Sequence, residues 1–211
     1  MVRLAGLLLA GGTASRFGSD KALVAVGEET LLDRAAGCLR VACDGPVVVA
    51  SGDGVARPGV GDRQVADRVA GGGPLSAIAA GLLDLRAGAD RVAVLAVDHL
   101  APSPDLLRLL ADQPGRWSCA LAEVGGRRQP LHAVWSTSIA DEVVAAVDDG
   151  VRSVLRWLDQ RDDVVVVGEE ALRDAGIDLG AVDDVDRPED LPEELQGDLP
   201  DEGSGPARPS V

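Results

Sequence analysis

Short, unbroken aliphatic runs alternate along this chain with longer stretches whose apolar residues recur at helical spacing. The runs Leu4–Ala10, Pro46–Ser51, Arg91–Val97 and Asp163–Gly168 are not interleaved with polar residues, so strands made from them must be covered on both faces. Leu31–Ala42, Pro74–Leu85, Pro104–Ala111 and Ile139–Val147 supply the covering helices. Thr30 and Asp33 are spaced as a capping box for the first of these, and Pro74 and Pro104 suit the first turns of theirs. The alternation predicts an α/β fold: a three-layer α/β/α arrangement around a mostly parallel, doubly wound, Rossmann-like sheet joined by right-handed crossovers. Trp117–Val124 and Gln129–Trp135 flank Gly125-Gly126-Arg127-Arg128, which predicts a small hairpin inserted in the second half.

A length of 211 residues suits one such domain, placed here at 1–196. The remaining stretch, 197–211, is rich in Gly, Pro, Ser and acid and is expected to be a disordered tail. Much of the net charge of −15 gathers at this end, with ten Asp/Glu against one Arg between Asp183 and Gly203. Such a charge repels a phosphate backbone or an anionic membrane, so neither nucleic acid nor a membrane is expected as a partner. Aromatic residues make up only 2% of the chain, too few for a base-stacking platform. Cys38, Cys43 and Cys119 are odd in number and lack zinc spacing, which suggests unpaired thiols in a reducing, cytoplasmic compartment. Arg3 followed by Leu4–Ala10 has the look of a short secretory signal. That run is at the lower limit of length, however, and leads straight into a glycine-rich loop, so a buried first strand is the better reading.

The loop itself is the most informative stretch: Leu9-Ala10-Gly11-Gly12-Thr13-Ala14-Ser15-Arg16-Phe17-Gly18-Ser19-Asp20-Lys21-Ala22-Leu23. It begins where the first strand ends, the place where open α/β sheets bind ligands. Gly11 and Gly12 lack Cβ atoms, so backbone N–H groups there can approach a phosphate closely. Arg16 and Lys21 follow at a spacing that lets both fold over the loop, a fork and a point charge for the same polyanion. The spacing to Lys21 is not that of a Walker loop, and the string is not GxGxxG.

Leu-Ala-Gly-Gly-x3-Arg-x-Gly-x-Asp-Lys resembles the signature of the nucleotidyltransferases that attach a nucleotide to molybdopterin, and Leu9-Ala10-Gly11-Gly12 with Asp20-Lys21-Ala22-Leu23 looks like the guanylyl branch, the molybdenum cofactor guanylyltransferases. The resemblance runs from about Leu4 to Leu195 and implies a sheet of the nucleotide-diphospho-sugar transferase type. It implies nucleotide binding by Leu9, Ala10, Gly11, Gly12 and Lys21, with Arg16, Lys21 and Asp98 as the catalytic groups. Asp67 and Gly71-Gly72-Gly73-Pro74-Leu75 resemble the family's second loop, beside base and ribose, with Gly73 among the binding residues. Asp67 can accept hydrogen bonds from the donor edge of guanine, which cytosine lacks; a solvated loop carboxylate is the other reading.

Asp98 closes the strand Arg91–Val97, a good position for a Mg²⁺ ligand, and by resemblance matches the metal-binding residue of an Asp-x-Pro motif. The third position is Leu100 rather than proline, and His99 between them is a potential perturber of the metal. Asp184 and Asp186, two apart and therefore on one face of an extended segment, resemble the family's metal-approaching closing motif; abundant local acid is the alternative. Arg127 and Arg128 either meet the anionic second substrate or form a solvated hairpin tip. His132 reads as a packed or hydrogen-bonded strand residue.

The resemblance implies transfer of GMP from GTP to the terminal phosphate of molybdopterin or molybdenum cofactor, releasing pyrophosphate, with Mg²⁺ as cofactor. Molybdoenzyme maturation proteins are then further partners. CTP-dependent cytidylyl transfer, transfer to a sugar or polyol phosphate, and a non-catalytic nucleotide-binding regulator are the alternatives. A phosphate monoester has a second pKa of about 6 and attacks without a general base, in keeping with a chain of only two histidines.

Overall fold

The computed structural model describes residues 2–11, 21–52, 55 and 57–185. Gly12, Arg16, Asp186 and the tail 197–211 lie outside the described residues. In chain order the elements are β1 (Leu4–Leu9), β2 (Ala25–Val26), β3 (Glu29–Thr30), α1 (Leu31–Ala42), β4 (Val47–Ala50), β5 (Arg63–Val65), α2 (Pro74–Leu85), β6 (Arg91–Ala96), α3 (Pro104–Ala111), β7 (Cys119–Val124), β8 (Arg127–Ser136), α4 (Ala140–Asp148), α5 (Val154–Leu158), β9 (Val164–Gly168) and α6 (Glu169–Asp174).

Seven strands form one sheet in the order β5-β4-β1-β6-β8-β7-β9. β1 pairs in parallel with both β4 and β6, whereas β8 runs antiparallel to its neighbours β6 and β7. The hairpin read from sequence is therefore present, but its strands are built into the main sheet, with β8 near its middle. Its turn is Gly125–Gly126, both at positive φ (58° and 71°), as a two-residue loop between right-twisted strands requires.

Side chains on β1 alternate between two cores. Leu4 and Leu8 join α1, α3 and α6 on one face, and Ala5, Leu7 and Leu9 join α2, α4 and α5 on the other. This is the three-layer α/β/α arrangement expected from the unbroken apolar runs. α2 comes close to β1 because position 81 is glycine: a Cβ there would stand 2.3 Å from Leu7 Cδ2. α1 starts on the expected capping box, with the Thr30 hydroxyl accepting from the Asp33 N–H and the Asp33 carboxylate accepting from the Thr30 N–H. A small third cluster of Val24, Val26, Leu31 and Val185, with Leu100 against it, docks the last described residues onto the β2–β3 hairpin.

Candidate active site

The carboxyl ends of β1, β4 and β6 open into a cleft of about 580 Å³. Its lining includes Leu9, Ala10, Gly11, Lys21, Asp67, Gly73 and Asp98, all of which the sequence singled out. Gly11 follows β1 and packs on Gly52, which follows β4. A Cβ on Gly11 would lie 2.7 Å from the Gly52 Cα, so neither backbone leaves room for a side chain there. Gly52 itself sits at φ 56°, and a Cβ on it would also meet Asp67 Oδ2 at 3.4 Å. The floor beside the glycines is thus bare backbone, the surface that a phosphate or ribose can approach most closely.

Lys21 opens a short 3-10 turn, Lys21–Leu23, pinned by buried Ala22 and by the Val24 N–H donating to the Lys21 carbonyl at 3.1 Å. This turn points the lysine into the cleft, where its Nζ lies 3.5 Å from Asp98 Oδ2. Asp98 follows β6, and its carboxylate is 29% exposed. Across the cleft the N-terminus of α2 presents Gly73 and Pro74. Gly73 caps that helix at φ 75°, and the preceding Gly71 is held by Arg152, whose Nη1 donates to its carbonyl at 2.6 Å.

The donor set of the cleft wall suits a hard divalent cation. Asp98 is a partly desolvated carboxylate on the cleft wall, and no group of three or more His, Cys, Asp or Glu converges among the described residues. Magnesium is usually held by one or two carboxylates with the rest of its shell from substrate phosphates and water, so a single carboxylate on the wall of a cleft this large fits it. Asp184 is the neighbouring candidate. His99 and Asp184 form an antiparallel backbone bridge, with the Val185 N–H donating to the Asp98 carbonyl at 2.8 Å and the Leu100 N–H to the Asp183 carbonyl at 3.3 Å. Asp184 is exposed while Val185 is buried, so these two take opposite faces; Asp186, expected on the face of Asp184, lies outside the described residues.

The two histidines take no part in the lining. His99 and His132 are buried against each other, ring centroids 4.9 Å apart. Burial pushes the His132 pKa down to about 3, with the neighbouring His99 adding to the effect, and burial likewise lowers His99. Both are therefore neutral packing groups at ordinary pH. Arg128 is held by Asp159, and Arg127 begins β8 at the hairpin tip; neither lines the cleft. Arg127 is exposed and Arg128 half-buried, so the pair stands apart from the cleft, at the place where the sequence offered either contact with the second substrate or a hairpin tip.

Sequence reasoning missed three contributors. Gly52 follows its strand as Gly11 follows β1, and that repeated strand-end glycine was a usable signal. Arg57 is 6% exposed and donates from Nη2 to the Ala10 carbonyl at 3.0 Å, supporting the glycine loop from beneath. Nothing local marks it, or Arg152, apart from the chain's other arginines. The three thiols are buried or half-buried, and desolvation raises Cys38 and Cys43 to about 12, so they are inert rather than nucleophilic.

A family model described as MobA-like NTP transferase domain matches residues 6–172. A probable molybdenum cofactor guanylyltransferase of Pelotomaculum thermopropionicum is 36% identical over 155 residues, covering 72% of this chain and 71% of that protein. One from Mycobacterium avium is 34% identical over 177 residues, covering 81% and 88%. Among solved structures, the molybdopterin-guanine dinucleotide biosynthesis protein A of Archaeoglobus fulgidus superposes with a TM-score of 0.72 at 21% identity, over 92% of this chain and 96% of that one. No described helix is long and apolar enough to cross a membrane.

Proposed function

Because the chain belongs to the MobA-like NTP transferase family, whose model spans most of its length, we propose that it transfers GMP from GTP to the terminal phosphate of molybdopterin or its molybdenum-loaded form. The carrying observation is the glycine-floored cleft in which Lys21 and Asp98 face each other at the strand ends. The relatives named as guanylyltransferases support the choice of base and acceptor.

In this reading the triphosphate lies along Leu9, Ala10 and Gly11, with Gly12 and Arg16 continuing the loop. Lys21 neutralises the β- and γ-phosphates, and the Gly11–Gly52 floor lets main-chain N–H groups approach them. Asp67 and the Gly71–Gly73 loop take the guanosine end. A phosphate oxygen of the acceptor forms a bond to the α-phosphorus as the α–β phosphoanhydride bond breaks, and pyrophosphate leaves with both electrons of that bond. The acceptor is already dianionic near neutral pH, so no side chain need remove a proton, consistent with two histidines held away from the cleft. Asp98, with Asp184 and Asp186, would hold Mg²⁺, which when bound supplies neutralisation of the reacting phosphates. For the chain's own residues the remaining work is alignment and exclusion of water.

Pyrophosphate release with molybdopterin as acceptor, compared for GTP and CTP, tests the proposal. Release with GTP and little with CTP is expected. Preference for CTP would assign the cytidylyl reaction, and nucleotide binding without release for any acceptor would mark a regulator.

A further inference from the structure

The departure from Asp-x-Pro has a structural counterpart. Proline has no N–H, yet the residue in that place, Leu100, uses its N–H to reach the Asp183 carbonyl. With the reciprocal bond from Val185 to Asp98, it forms a two-bond bridge that fastens the segment carrying Asp184 to the segment carrying Asp98. Leu100 also packs its side chain on the cluster that contains Val185. A proline at 100 would leave only one of the two bonds.

Between the bridged residues, His99 turns inward onto His132 of β8. The carbonyls of Asp183 and Leu131 lie beside the His99 ring, and those of Ser103 and Ala181 beside His132. The pair therefore sits where the Asp98 loop, the start of α3, β8 and the last described segment meet. The arrangement is expensive for stability. Neither ring nitrogen of His132 has a hydrogen bond of normal geometry among the described residues, although the ring is fully buried. Leaving buried polar atoms so poorly served is destabilising, and an aliphatic side chain would avoid it. Local sacrifice of this kind marks positions set by something other than stability.

We infer that His99, His132 and the Leu100 bridge are positioning elements that hold Asp184 in register with Asp98 for the divalent cation, doing by a buried histidine pair and a paired backbone what proline would do by stiffness. The inference rests on the reading of Asp98 as the cation ligand. It concerns no titration: the rings act as neutral, fixed volumes wedged beneath the bridge.

The test uses the full chain with His132→Leu, Leu100→Pro and Asp98→Asn. Thermal melting, amide hydrogen exchange at Val185 in metal-free protein, and Mn²⁺ affinity with a non-hydrolysable GTP analogue are measured for each. His132→Leu is expected to melt no lower than wild type while Val185 exchanges at least about tenfold faster and Mn²⁺ binds at least about fivefold more weakly. Leu100→Pro, at a half-buried loop position, should reproduce the faster exchange and weaker Mn²⁺ binding, although it restores the family pattern. Wild-type exchange and wild-type Mn²⁺ affinity in both variants would overturn the inference, as would a loss confined to melting temperature. Asp98→Asn separates the two levels: undiminished Mn²⁺ binding there sinks the ligand assignment, whereas loss there with normal binding in the other two sinks only the positioning role.

Discussion

Gly11 and Gly52, ends of neighbouring strands β1 and β4, are stacked so tightly that a single methyl group on Gly11 would stand 2.7 Å from the Gly52 Cα and N. Both partners are backbone and neither can swing aside. Gly11→Ala should therefore displace the start of the loop that leads to Lys21. The expected result is a rise of at least about tenfold in KM for the triphosphate, read by initial-rate kinetics, with far-ultraviolet circular dichroism unchanged.

Lys21 is directed into the cleft by a turn whose anchors, Ala22 and Val24, are buried independently of the ammonium group. Removing the amine should leave the fold intact. Turnover in Lys21→Ala is expected to fall by about 100- to 1,000-fold, the range for loss of one preorganised charge on a reacting phosphate or oxyanion. Wild-type turnover would remove Lys21 from the reaction.

Gly81 gives the opposite pattern. Its Cβ would press on both methyls and the Cγ of Leu7, at 2.3, 2.5 and 2.9 Å, and Leu7 is fully buried. Gly81→Ala should destabilise by about 1–3 kcal/mol, as overpacking does, measured as a lowered denaturation midpoint. Activity per folded molecule should hardly change, since the clash lies within the α2–β1 packing.

His132 also makes stability depend on pH. Its folded pKa of about 3 lies below the ordinary value of 6.5, so the unfolded chain binds the proton more readily. The contribution is fully present above pH 6.5 and is lost progressively as pH falls toward 3. Each unit of that separation corresponds to about 1.4 kcal/mol. His132→Phe should melt with a visibly shallower decline between pH 6.5 and 4 than wild type, and a parallel decline would reject this account.

The elements legible in the sequence were those with strong local rules. α1 follows its Thr30–Asp33 box, α2 and α3 follow Pro74 and Pro104, and β1 and β6 follow unbroken aliphatic runs. β5 carries Arg-Gln-Val at the sheet's edge, where no apolar run is needed, and so gave no signal. α5 and α6, five and six residues long, are held by packing of Trp157 and Leu172 rather than by propensity. The hairpin was readable from Gly125-Gly126, but which strand β8 would pair with on its other side depends on the whole sheet. In the cleft the glycines and the lysine announced themselves through spacing. Arg57 did not, because a buried arginine and a surface one look alike until the chain is folded.

Within the sheet, the strands of the first half and those of the second are joined at one seam, the ladder between β6 and β8. A ribosome therefore delivers β6 with one whole flank unsatisfied, and about forty more residues must emerge before Ser136 completes its partner. At synthesis rates of roughly 5–20 residues per second, that is an interval of several seconds. During it the row Arg91–Leu95 is a bare hydrogen-bonding edge open to any passing extended peptide. The growing chain is most vulnerable to misassembly after the half that floors the cleft has been made and before the β8 partner strand arrives.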